Sequence, residues 1–220
     1  MGQVLVQEFL RRGYNVAVPT RPGGTTDQQG SDVMAGAGVL RVSADLARED
    51  DVRHFVDRVT QVFGMIGVLV NAAGGYAGGN LVEETSVEEW DRMLSTNLKS
   101  AFLLSRSVLP GMRARKFGRI INIAAMSAVI PAPRRAAYAV SKRGVVTLTE
   151  ILAEETMGAG ITVNAIAPGT IRTDANIRSM PGADTGAWVS PEEIARLALF
   201  LCSDDGRSIS GNVIRVSGGS

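Results

Sequence analysis

The chain is predicted to fold as a doubly wound α/β domain, in which helices cover both faces of a parallel sheet. Short apolar runs such as Val39 to Val42, Arg119 to Ile123 and Ile161 to Ile166 alternate with helical stretches of about ten residues or more. The 220 residues are 45% hydrophobic and 20% charged, enough apolar material for one domain with a sizeable core. Loops rich in Gly and Asn follow several of the apolar runs, at the carboxyl ends of strands where such sheets bind ligands.

The elements follow in order. Residues 3–12 read as a helix with Val4, Leu5, Phe9 and Leu10 apolar, stopped by Gly13 and followed by a strand from Asn15 to Pro19. Arg21 to Gly30 is rich in turn formers, and Val39 to Val42 is the next strand. Asp50 to Phe63 is a charged amphipathic helix, and Ile66 to Asn71 is a strand that opens into the loop Gly74 to Asn80. Val87 to Arg115 is helical with an interruption expected near Pro110, because proline lacks the amide its turn needs. After the strand Arg119 to Ile123, a helix runs from about Ala137 to Met157. Ile161 to Ile166 is a strand, Pro191 to Cys202 a helix, and Val213 to Val216 the last strand.

Composition excludes several functions. The net charge is +1 with scattered arginines, so no basic face is expected for nucleic acid or an anionic membrane, and no apolar run reaches the length of a membrane span. Cys202 is the sole cysteine, which excludes an internal disulfide and a cysteine zinc cluster and reads as a small buried hydrophobe. His54 is the sole histidine, in a charged helix, so no metal site or histidine triad is expected. The reading is a cytoplasmic protein acting on a small molecule.

Tyr138 and Lys142 carry the chemistry. Four residues apart on a helix, phenol and ammonium share one face. A nearby ammonium favours phenolate over phenol and makes tyrosine a usable acid or base; alone, the same spacing also describes an exposed helix surface. Asn71-Ala72-Ala73-Gly74 follows one strand, Ala124 to Ser127 another, and Pro168-Gly169 a third, with Asn97 inside a long helix.

In that order and spacing, these motifs resemble the short-chain dehydrogenase/reductase family over nearly the whole chain. The resemblance implies a Rossmann-like fold and NAD(P)H-dependent reduction of a carbonyl or a conjugated C=N or quinonoid group. Tyr138 would exchange a proton with the substrate, and Lys142 would lower the Tyr138 pKa and bind the nicotinamide ribose. Asn97 would kink its helix and hold a relay water, the competing reading being a helix-interior asparagine bonded locally. The cofactor-binding set implied is Gly2, Arg21, Asp45, Leu46, Asn71, Ala72, Ala73, Gly74, Tyr138, Lys142, Pro168, Gly169, Ile171 and Thr173. Asp45 in the Ala-Asp-Leu segment matches an adenine contact, with a helix N-cap as its competitor. Where an NAD enzyme of this kind places a carboxylate after its second strand, this chain has Thr20 and then Arg21, which pairs readily with a 2′-phosphate. NADP(H) is therefore expected over NAD(H). A homodimer or homotetramer is also implied, built from the helix around Trp90 to Arg115 and the Tyr138 helix, where Ala136, Ala137 and Ala139 allow close packing.

Two departures qualify the resemblance. Counting thirteen residues back from Tyr138 reaches Ala125, where the family has a serine; Ser127 is the candidate replacement. One branch of the family without that serine is dihydropteridine reductase, which the loop Ala73 to Asn80 and the segment Ser179 to Asp184 with Trp188 resemble locally. That likeness implies a planar conjugated acceptor near Tyr76 or Trp188, either of which also serves as a packing residue. The second departure is at the amino end. Gly2 aligns with the last glycine of the family's pyrophosphate turn, so the first strand and the rest of that turn are expected to be absent and the domain N-terminally incomplete. Without that strand, two rows of backbone groups should stay unpaired, one on the strand at 15–19 and one on the strand at 66–71. A non-catalytic family member acting as a binding or oligomer subunit is the alternative function.

Overall fold

The computed structural model describes residues 1–22 and 38–218. Its elements are α1 (Gly2–Arg11), β1 (Val16–Thr20), β2 (Val39–Ser43), α2 (Glu49–Phe63), β3 (Val68–Asn71), α3 (Val87–Met93) and α4 (Ser100–Arg115), then β4 (Gly118–Ile123), α5 (Ala136–Glu155), β5 (Ile161–Pro168), α6 (Asp174–Ser179), α7 (Pro191–Cys202) and β6 (Val213–Val216). All strand pairs are parallel. The turn-rich stretch expected over 21–30 lies largely outside the described residues.

The strands form two sheets. One pairs β1 with β2, and the other has the order β3-β4-β5-β6. Both belong to one layered arrangement, because side chains alternate across the strands in the same sense. Val16 of β1 and Val68 and Val70 of β3 pack with Leu5 and Phe9 of α1 and with α7, while Ala17 and Leu69 pack with Val52 and Phe55 of α2 and Leu103 and Leu104 of α4. No strand among the described residues pairs with β1 or β3 on their remaining edges. The expected pair of open edges is therefore found.

The four-stranded sheet is buried on both faces. Ile121 and Ile123 of β4 point to α1 and α7, and Ile120 points to Met112 of α4 and Leu152 of α5. Every residue of β4 and β5 is buried, as continuous apolar runs between two helix layers should be. Acidic first turns start α2 and α7, and Ser190 with Glu193 forms a capping box on α7.

Two expectations are corrected. Pro110 lies inside α4 without interrupting it. The irregularity comes earlier, at residues 94–99, where a π-helical turn joins α3 to α4 and the Ser100 amide donates to the Ser95 carbonyl five residues back. Proline gives up one helical bond, but α4 continues past it, anchored in the core through Leu103, Leu104, Val108 and Met112. The short helix α6 was not expected; Thr173 nucleates it as N-cap, its Oγ1 accepting from the Asn176 amide.

Candidate active site

β3, β4 and β5 end side by side, and the loops that follow them meet the first turns of α5. Asn71, the last residue of β3, stands opposite Asn122 of β4, which stands opposite Ala165 of β5. The Asn71 Nδ2 donates to Asn122 Oδ1 at 2.8 Å, and Asn122 Nδ2 donates to Thr149 Oγ1 of α5 at 2.9 Å. This buried ladder ties two strand ends to the helix that carries Tyr138 and Lys142. Asn122 and Thr149 were not singled out in the sequence, although one asparagine inside the apolar run Ile120-Ile121-Asn122-Ile123 was a readable signal.

Asn97 sits in the π-helical turn, is buried, and reaches well beyond its own helix. Its Oδ1 accepts from the Gly75 amide at 2.8 Å, and its Nδ2 donates to the Gly75 carbonyl at 3.1 Å and to Ser141 Oγ at 3.0 Å. Ser141 in turn donates to the Tyr138 carbonyl. The local-bonding alternative for Asn97 is thereby corrected: its amide pins the loop after β3 to the first turn of α5. A Cβ on Gly74 would lie 2.8 Å from Asn97 Oδ1 and 3.3 Å from Lys142 Nζ, so only glycine leaves this approach open.

Lys142 is buried, and its Nζ donates to the carbonyl oxygen of Ile123, at the end of β4, at 2.7 Å. Burial pulls its ammonium down to about 8. Tyr138 is held above its ordinary range, first by burial and then by Tyr76, against which the Arg135 guanidinium pulls the other way. The expected lowering by Lys142 is thus corrected: burial governs Tyr138, and the pull towards the charged form comes from Arg135. The Tyr76 ring meets that of Tyr138 edge to face, with centroids 5.0 Å apart.

The remaining candidates fall into place around these residues. Ala125 is buried in extended backbone just after β4, and a short 3-10 turn follows it over Met126–Ala128. Ser127 lies in that turn, and its buried Oγ has no hydrogen-bond partner, which leaves a donor available. Pro168 ends β5. A Cβ on Gly169 would lie 3.1 Å from the Ser217 carbonyl, Ile171 bridges to Val189, and Thr173 caps α6. On the other side, Ala72 is half-buried and Ala73 exposed in the loop after β3, and Arg21 is exposed after β1. Asp45 is exposed, with its Oδ1 accepting from the Ala47 amide; α2 has Arg48 as its N-cap, so the N-cap alternative for Asp45 is corrected to a turn. Leu46 packs on the α2 core. Gly2 opens α1 with nothing within 4 Å of an added Cβ, so no crowding at this position demands glycine.

A dinucleotide fits this site unevenly. At the α5 end, a buried ammonium with one carbonyl partner, the glycine-only approach at Gly74 and the adjoining phenol suit a nicotinamide ribose. At the α1 end, the helix N-terminus lacks a side-chain cap and supplies amide donors, but no glycine-rich turn wraps it among the described residues. No group of His, Cys, Asp and Glu among the described residues has metal-binding geometry, His54 is exposed, and burial pushes the Cys202 thiol up to about 12, which keeps it inert. No helix among the described residues is long and apolar enough to cross a membrane.

Comparison with known proteins agrees with the fold. A family profile described as enoyl-(acyl carrier protein) reductase matches residues 1–220. The 3-oxoacyl-(acyl-carrier-protein) reductase of Staphylococcus epidermidis is 33% identical over 238 residues, covering 100% of this chain and 93% of the relative. A protein of Xanthobacter autotrophicus named inactive 2-(S)-hydroxypropyl-CoM dehydrogenase 2 is 33% identical over 229 residues, covering 98% of each. The solved structure of ElxO with NADP bound superposes with a TM-score of 0.89 at 25% identity, covering 99% of this chain and 93% of that one.

Proposed function

We propose that this chain, which belongs to the short-chain dehydrogenase/reductase family of NAD(P)-dependent oxidoreductases, reduces a carbonyl group on a small molecule with Tyr138 as the proton donor. The observation that carries the reading is the α5 pair: Tyr138 in the mouth of the site and, one turn further on, Lys142 buried against the end of β4. A bound nicotinamide supplies hydride to the substrate carbon. Tyr138 gives its proton to the substrate oxygen, and its raised pKa keeps the phenol protonated for that step. Lys142, down to about 8, is poised to return a proton to the phenolate at neutral pH. Asn97 holds the Gly75 loop and the α5 turn in register around them.

Ser127 is the donor that offsets Ala125. Its unpartnered hydroxyl lies in the turn after β4, two residues beyond the position that lacks one. If it does not reach the substrate oxygen, a conjugated C=N or quinonoid acceptor, which spreads its developing charge, is the better substrate; Tyr76 beside Tyr138 offers such a ring an aromatic wall. Arg21 after β1, with Thr20 where a carboxylate would repel a 2′-phosphate, favours NADP(H). Gly2, Asp45, Leu46, Asn71, Ala72, Ala73, Gly74, Pro168, Gly169, Ile171 and Thr173 complete the proposed cofactor contacts. The exposed apolar side chains Val140 and Ile151 of α5 and Phe102 of α4 suit self-association as a homodimer or homotetramer.

The test is titration with NADPH and NADH followed by nicotinamide fluorescence, then a panel of ketones, quinones and dihydropteridines. Tighter NADPH binding with turnover of a ketone supports the reading. Binding with no turnover of any acceptor, in a chain with Ala125, favours the non-catalytic alternative.

A further inference from the structure

The loop after β3 and the segment before α5 are clamped to each other at the mouth of the site. The Gly79 amide donates to the Arg134 carbonyl at 2.8 Å, and Arg134 Nη1 donates back to the Gly79 carbonyl at 2.9 Å. Arg134 takes the left-handed conformation, with φ of 60°, which is strained in a residue with a side chain. Gly78 permits the contact, since a Cβ there would lie 2.7 Å from the Tyr76 hydroxyl and 2.9 Å from the Arg134 carbonyl. The strained turn sets the direction of the next residue, Arg135.

Arg135 is exposed at the N-cap of α5, and its guanidinium carbon lies 6.0 Å from the centre of the Tyr76 ring, which itself touches Tyr138. A guanidinium over an aromatic face keeps the N–H groups along its edge for a planar anion. No carboxylate among the described residues pairs with Arg134 or Arg135. The first turn of α5 also lacks an acidic residue and a side-chain cap, so its dipole adds to the same positive charge. The Arg135 guanidinium also pulls on the Tyr138 phenol, favouring its charged form. A cation with no carboxylate partner among the described residues thus lies next to the exposed ring of Tyr76, which in turn meets Tyr138.

We propose that Arg135 is the anion-binding subsite of this active site, and that the substrate is a ketone bearing a carboxylate a few bonds from its carbonyl. The ketone half of that statement rests on the reductase reading above; the anion half does not. With the carbonyl oxygen at Tyr138, the carboxylate would accept two parallel bonds from the Arg135 edge, and Tyr76 would wall the space between.

Acetoacetate and its methyl ester separate charge from shape, because they share the reducible skeleton. Calorimetry on the chain without cofactor should show acetoacetate bound about tenfold to a hundredfold more tightly than methyl acetoacetate, with the difference shrinking as salt rises. Arg135→Gln should bring the two to parity, and Arg135→Lys should keep part of the preference. In turnover with NADPH, the ratio of kcat/KM for acid over ester should fall by a similar factor in Arg135→Gln. A purely structural role would lower both substrates together. Equal binding of acid and ester by the parent chain, or a preference that survives Arg135→Gln, overturns the proposal. Charge-selective binding without turnover of either ketone overturns the reductase reading alone and leaves the subsite standing.

Discussion

The Lys142 ammonium donates to the carbonyl oxygen of Ile123 at 2.7 Å, so α5 is fastened to the end of β4 by a cation that burial has pulled down to about 8. A lysine whose folded pKa lies below its unfolded value of 10.5 opposes folding wherever the unfolded chain holds the extra proton. The cost is full below about pH 8, roughly 3 kcal/mol on a shift of this size, and it fades as pH rises towards 10.5. Lys142→Met is therefore expected to be more stable than the parent at pH 6.5, by about 1–2 kcal/mol after loss of the Ile123 bond. The gain should vanish by about pH 10. Urea unfolding at the two pH values checks this, and a variant less stable at both would show that the ammonium is better solvated than its burial implies.

The same lowered value makes a prediction for the pH dependence of the proposed reduction. If protonated Lys142 resupplies Tyr138, kcat for ketone reduction should hold steady below pH 7 and decline as pH rises through about 8. A pH–rate profile that stays level to pH 9.5 would remove Lys142 from the proton path.

The hydroxyl missing at Ala125 makes a separate prediction. A lost donor to a developing oxyanion costs about 10²–10³ in rate. Ala125→Ser is expected to raise kcat on a simple ketone by about tenfold or more, and Ser127→Ala to lower it in the parent but much less in the Ala125→Ser background. Additive effects in the double variant would mean that Ser127 does not stand in for the missing group.

Asn97 shows how much of the site could be read in advance. The elements that carry the motifs were legible, with Asn97, Tyr138 and Lys142 on helices and Asn71 and Pro168 at strand ends, because strand ends and helix periodicity are written in local sequence. What local sequence did not contain was the direction of each polar side chain. Asn97 bonds Gly75, 22 residues away, and Ser141, 44 residues away, and neither contact has a local signal. The kink that the family resemblance implies at Asn97 has its counterpart in the π-helical turn over 94–99, whereas the interruption expected at Pro110, the obvious local breaker, is absent. The raised Tyr138 pKa has no local signal either, since spacing puts Tyr138 and Lys142 on one helix face but does not reveal the burial of the phenol.

Those contacts make Asn97→Ala a test of the loop as well as of catalysis. Removing the amide strands the Gly75 amide and carbonyl and Ser141 in a part-buried setting, at a cost of about 2–3 kcal/mol. Amide hydrogen exchange should accelerate at Gly75 and through the loop to Asn80, while β4 and β5 keep their protection. Unchanged exchange at Gly75 would mean that the loop is held from elsewhere.

The open edges of β1 and β3 predict a second exchange pattern, distinct in place. Among the described residues, each of these strands has a hydrogen-bonded neighbour on one side only, whereas β4 and β5 are paired on both. Amides of β1 and β3 that point away from β2 and β4 should therefore exchange about a hundredfold or more faster than amides of β4 and β5, even though Val16, Val68 and Val70 pack with α1. A chain carrying an added apolar strand and glycine-rich turn ahead of Met1 should protect both sets at once, because one strand pairs with both edges. It should also bind NADPH more tightly, since the turn wraps the N-terminus of α1. Protection gained on β1 without β3 would show that the two edges do not face one shared slot, and would replace the picture of a single interrupted sheet with two separately packed ones.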